Sequence, residues 1–175
     1  MGLVRFLLVA VASLALASCV SWKLGSPTAA AVKPRSAPPP GSAKICVVRT
    51  SVLAAAVTFP TRDNGQLVGA TRGPSHFCYL AEPGEHAIAI EADAVETAKL
   101  TAEAGKSYVL KQEVDNILGS VKCRGVWMEE RAADELFDES PYQVLVGVPG
   151  SERLPSSPNY VPAKQGTHVS NDSGT

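Results

Sequence analysis

The sequence predicts an all-β protein, an antiparallel β-sandwich of about seven strands with one short C-terminal helix. Three observations carry this expectation. Short runs rich in β-branched and aromatic residues recur from Ala43 onward. Turn signals separate them at intervals of about eight to twelve residues, the spacing of a sandwich or barrel. In the clearest run side chains of period two separate into faces, His86, Ile88 and Ile90 on one and Ala87, Ala89 and Glu91 on the other. With 16 basic and 17 acidic residues and a net charge of −1, the chain carries no footprint for nucleic acid and no polybasic membrane patch.

The elements follow in order from the N-terminus. Arg5 and the apolar stretch Phe6 to Ala17 read as a signal peptide over 1–18. The stretch is too short to span a bilayer, which takes about 20 residues. It ends Leu16-Ala17-Ser18-Cys19, which resembles the lipobox of bacterial lipoproteins. That resemblance implies cleavage between Ser18 and Cys19 and thioether lipidation of Cys19. Several acyl chains of the palmitate type anchor stably where one alone does not. Val20 stands where an aspartate would favour inner-membrane retention, which places the outer membrane ahead of the inner.

Residues 19–42 form the acylated cysteine and a Pro-rich tether, with Pro27, Pro34 and the run Pro38-Pro39-Pro40. The tether is expected to lift the folded domain, 43–148, off the lipid. Ile45 to Thr50 is the first strand of that domain, and Val52 to Phe59 holds the second. Asn64-Gly65 marks a hairpin because a type I′ turn needs positive φ at both central positions. "QLVGA" and "SHFCYL" follow as strands. Pro83-Gly84 turns the chain into "HAIAIEA", and a sixth run covers Val95 to Thr101. "AEAGKS" turns into "SYVLKQEV", and a later strand lies near Val121 to Met128. "EERAADELFDE" reads as an amphipathic helix with a solvated acidic face, and "YQVLVGV" as a final apolar segment. The tail, 149–175, is rich in Pro, Ser, Gly and Asn and is expected to be disordered.

Several of these blocks together resemble the bacterial domain-of-unknown-function family 2846, whose members are often lipoproteins. The matching features are Arg49-Thr50, Asp63-Asn64-Gly65, Phe77 and Tyr79, Pro83-Gly84-Glu85-His86, and Gly105-Lys106-Ser107-Tyr108. The Pro-Gly-x-His turn also resembles that of sandwich modules with a prealbumin-like (PEGA-like) shape. The resemblance covers about Ala43 to Val146 and implies a β-sandwich in a cell-envelope setting. It implies no catalytic residues.

Candidate chemistry is sparse. There is no nucleophile elbow, and Ser75 and His76, adjacent on a strand, point to opposite faces. His76 and Cys78 share a strand face, and with His86 they are the candidate metal ligands, of a type zinc accepts. The opposing expectation is that Cys78 is a buried hydrophobe and that His86 packs its ring while bonding nearby backbone. Three thiols follow the anchor, Cys46, Cys78 and Cys123. In an oxidising envelope Cys46–Cys78 is the favoured disulfide, with three reduced buried cysteines as the alternative. Trp127 is expected to anchor the core. No cofactor is implied. The expected role is a non-catalytic envelope lipoprotein whose partners are the membrane, through its anchor, and an envelope protein or polymer. A small-ligand or metal-binding lipoprotein is the alternative, and an enzyme the third reading.

Overall fold

The computed structural model of the protein describes residues 21–164. Ser18, Cys19 and the signal peptide lie outside the described residues, as does the end of the tail. Eleven strands and one helix make up the described chain: β1 (Lys23–Gly25), β2 (Ala43–Arg49), β3 (Thr58–Asp63), β4 (Gln66–Arg72), β5 (Ser75–Ala81), β6 (Gly84–Glu91), β7 (Val95–Ala102), β8 (Ser107–Ile117), β9 (Ser120–Met128), α1 (Glu130–Asp138), β10 (Val144–Gly147) and β11 (Tyr160–Val161).

Two sheets form the sandwich that the alternating pattern predicts. One has the order β11-β5-β2-β8-β9, the other β4-β3-β6-β7, and β1 and β10 make a separate two-stranded piece. Between the sheets lie Ile45, Val47, Phe59, Phe77, Tyr79, Ile88, Ile90 and Leu110, all buried. The outer face of the five-stranded sheet is covered as well. Cys46, Val48 and Val109 pack there against Ala133, Leu136 and Phe137 of α1. Strand β2 is therefore buried on both faces and reads as a nearly unbroken apolar run.

Turn chemistry falls where the sequence places it. Asn64 and Gly65 have φ of 48° and 84°, the left-handed pair that closes β3 onto β4. The Asn64 side chain adds a second function. Its amide donates to the carbonyls of Glu85 and Pro162, and its oxygen accepts from Ala87 N–H, which ties the hairpin to β6.

Four expectations need correction. The second strand is Thr58–Asp63, not a run from Val52, because residues 51–57 are held in a turn by a buried arginine. Two pairings are parallel, β2 with β8 and β11 with β5. For β2 and β8 the reason is topological: β5 and the whole four-stranded sheet intervene in sequence, so the chain re-enters beside β2 from the same end. The stretch read as a free tether is docked. Its Lys23–Gly25 pairs with β10, Val32 packs against the outer face, and Arg35 bonds Asp134 and Asp138 of α1 at 3.2 and 2.7 Å. The Lys44 ammonium donates to the carbonyls of Pro34 and Ser36. Finally, the described part of the tail is ordered against the sheet. Leu80 N–H donates to Asn159 O and Glu82 N–H to Val161 O, and Val161 is fully buried. Composition missed both segments because a few backbone bonds and single apolar side chains suffice to dock a chain on a completed sheet edge.

Candidate functional site

The candidate residues fall into separate layers. Cys46 and Cys78 are direct cross-strand partners on β2 and β5, with Cα atoms 4.1 Å apart, and the structure joins them in a disulfide. Cys123 is free and buried among Phe59, Ile88, Ile90 and Leu110, where burial pushes its thiol up to about 12.

The metal-ligand candidates His76, Cys78 and His86 do not converge. Cys78 is bonded to Cys46 and offers no thiolate. His76 shares its strand face but is turned to the helix side. Its Nδ1 lies 2.8 Å from Ser140 O, and its ring packs against Phe137 and Tyr142. Burial lowers its pKa, so the ring is neutral. His86 belongs to the other sheet and points into the sandwich. Among the described residues no group of three or more His, Cys, Asp or Glu side chains is placed to hold a metal ion. The adjacent Ser75 and His76 diverge, as strand geometry requires. Ser75 Oγ accepts from Arg72 N–H in the tight β4–β5 turn.

His86 is the centre of a buried polar cluster. Its Nδ1 lies 2.7 Å from Asp63 Oδ2, and its Nε2 lies 2.7 Å from Glu82 O. Both partners are acceptors, so both ring nitrogens donate and the imidazole is cationic. Tyr79 Oη donates to the same Asp63 oxygen at 3.0 Å. Burial alone would lower the His86 pKa, but the Asp63 carboxylate and the Glu82 carbonyl raise it above its ordinary value. Tyr79 is held well above the usual phenol range by burial and by the same carboxylate. The ion pair has no exposed side-chain surface. It acts as a fastening: the bond to Glu82 O closes the Pro83-Gly84 turn from inside the sandwich. This explains the Pro-Gly-x-His pattern in physical terms.

Arg49 is the residue that sequence reasoning undervalued. It follows Ile45 and Val47 on the inner face of β2 and is fully buried. Among the described residues no carboxylate meets it. Instead its guanidinium donates to the carbonyls of Leu53, Ala54 and Val57 and lies 4.3 Å over the Phe59 ring. Desolvation lowers its pKa. The signal was legible: a charged residue stands at the core position of an alternating strand.

Arg49 thereby shapes one end of the sandwich. The loop 51–57, the β4–β5 turn, the β6–β7 turn and the β8–β9 hairpin all lie at that end, as the strand registers require. Asp93 N–H donates to Val121 O, and Val121 N–H donates to Asp93 Oδ2 at 2.7 Å, so the last two loops are coupled. Among the described residues nine large hydrophobic side chains are exposed, and six are here: Val52, Leu53, Val57, Val95, Ile117 and Leu118. Leu118, at φ 52° on the hairpin tip, is wholly exposed. The opposite end consists of tight polar turns at Asn64-Gly65, Pro83-Gly84 and Gly105-Lys106.

Trp127, expected to anchor the core, packs against both inter-sheet clusters from the sandwich edge: it is half-buried, and its Nε1 donates to Lys99 O of β7 at 3.0 Å. The acidic face of α1 is exposed to solvent as expected, and there Asp134 and Asp138, one turn apart, pair with Arg35. Comparison with protein-family models, with curated proteins and with solved structures finds no match to this chain. The resemblance to family 2846 rests on the motif blocks alone.

Proposed function

We propose that the protein is a lipid-anchored envelope module that binds another envelope protein through the apolar end of its sandwich. The observation that carries this reading is the gathering of six exposed apolar side chains on loop 51–57, at the start of β7 after the 92–94 turn, and on the 117–119 hairpin tip. Scattered exposed hydrophobes need no explanation, but a cluster on one end is the mark of an interaction surface. The charges beside it are mixed, with Asp115 opposite Lys122 and Glu113 opposite Arg124 across the hairpin. A protein partner suits that mixture better than an anionic lipid surface, which would call for a basic one. The buried polar side chains His86, Asp63 and Arg49 make hydrogen bonds that close turns and loops, which favours binding over catalysis. On this reading the acylated Cys19 tethers the module to the membrane.

Two experiments test it. A photoreactive amino acid at Leu118 is expected to crosslink a discrete partner in cells, and the same group at Glu103, at the opposite end, is not. Identical crosslinking patterns at both positions would sink the assignment of the surface. Cys19→Ala is expected to abolish lipidation and membrane fractionation; unchanged fractionation would remove the anchor.

A further inference from the structure

A cavity of about 320 Å³ opens at the side of the sandwich where β4 and β5 lie at the margins of their sheets. Its apolar wall includes Val68, Phe77, Cys78, Val144, Leu145 and Leu154. Two segments complete it, Thr28, Ala31 and Val32 from the docked N-terminal stretch and Leu154 to Asn159 from the tail. Both are pinned to the sheet side by hydrogen bonds. Tyr142 Oη donates to Val32 O at 2.8 Å, and Asn159 Nδ2 donates to Val68 O at 3.1 Å. The recess, open on one side, is therefore bounded by fastened walls.

No charged side chain lines this cavity. Four other recesses among the described residues each include at least one lysine, arginine, aspartate or glutamate. The larger polar groups on the wall are already engaged. Tyr142 and Asn159 make the bonds just given, and Asn159 Oδ1 accepts from Gln66 Nε2 at 3.2 Å. A charged or strongly polar occupant would lose its hydration with little in return. The volume lies at the lower end of the range for small-molecule sites, roughly 300–1,000 Å³.

We propose that this cavity binds an uncharged, essentially hydrocarbon small molecule. The site is independent of the apolar end, since none of loops 51–57, 92–94 and 117–119 lines it. Failure of one assignment leaves the other intact.

The test is a titration of the full chain with N-phenyl-1-naphthylamine, an uncharged apolar fluorophore. Saturable enhancement at one site per chain is expected. Ala31→Trp, which puts an indole on the cavity wall, is expected to weaken binding by about tenfold or more. Ala30→Trp, at a neighbour that does not line the cavity, is expected to bind as the parent does. Val146→Trp fills the chamber from the opposite wall, at a half-exposed position, and decides the matter if Ala31→Trp fails to fold. The anionic analogue 1-anilinonaphthalene-8-sulfonate is expected to bind about tenfold more weakly than the neutral probe. Absence of saturable binding, parental binding by the filled variants, or equal binding of the anionic probe would overturn the proposal.

Discussion

Replacing Asp63 with alanine strands a cation in the middle of the sandwich. In the native protein His86 donates to Asp63 Oδ2 and to Glu82 O, and Tyr79 donates to the same carboxylate oxygen. Neither His86 nor Asp63 has exposed side-chain surface, so water cannot replace the lost partner. Breaking a buried ion pair by removing one member costs about 3–5 kcal/mol. At about 2–4 °C per kcal/mol for a chain of this size, the melting temperature should fall by about 6–20 °C. Urea unfolding followed by the fluorescence of Trp22 and Trp127 measures the loss directly. The pH dependence supplies an independent check. The folded pKa of His86 is raised above 6.5, so the pair's contribution is complete below about pH 6.5 and is lost as pH rises through the folded value. The parent should thus weaken on the alkaline side, and Asp63→Ala should lack that slope. The double variant Asp63→Ala/His86→Leu removes the stranded charge and should recover much of the loss. A single-variant cost below about 1 kcal/mol, or a double variant no more stable than the single, would refute the reasoning.

Three further outcomes follow from the same structure. Gly69→Ala would place a Cβ 2.4 Å from the Phe77 ring, and thermal unfolding should show a loss of about 1–3 kcal/mol from overpacking. Cys46→Ala/Cys78→Ala removes a crosslink spanning 32 residues; loop entropy gives a loss of about 3–4 kcal/mol, read by urea unfolding. Cys123, buried and with its thiol pushed up to about 12, should resist iodoacetamide at pH 8 in the native protein and react once unfolded, as mass spectrometry would record.

The route from sequence to site was uneven for physical reasons. The period of two along β6 was enough to put His86, Ile88 and Ile90 on the inner face, because strand side chains alternate whatever the neighbours are. Asn64-Gly65 and Pro83-Gly84 were equally legible, since backbone conformation there is set locally. The Cys46–Cys78 pairing was accessible as a preference because both residues lie on strands of the same class. In sequence Asp63 reads as a turn residue, and nothing near it announces that His86 and Tyr79 meet its carboxylate. Arg49 could be flagged by its core position, but its partners are carbonyl groups, which sequence does not distinguish from one another.

What the sequence by itself determined, then, is the class of fold, the positions of the tight turns and the faces of the strands. These depend on steric limits and side-chain periodicity over a few residues. The tertiary structure alone decided that β2 and β8 run parallel, that residues 23–25 and 160–161 become strands, and that the apolar loops share one end. It also decided that a Pro-rich stretch and a polar tail enclose a cavity. Those outcomes depend on which remote surfaces and unpaired backbone groups meet once the sheets exist, and no local pattern encodes that meeting.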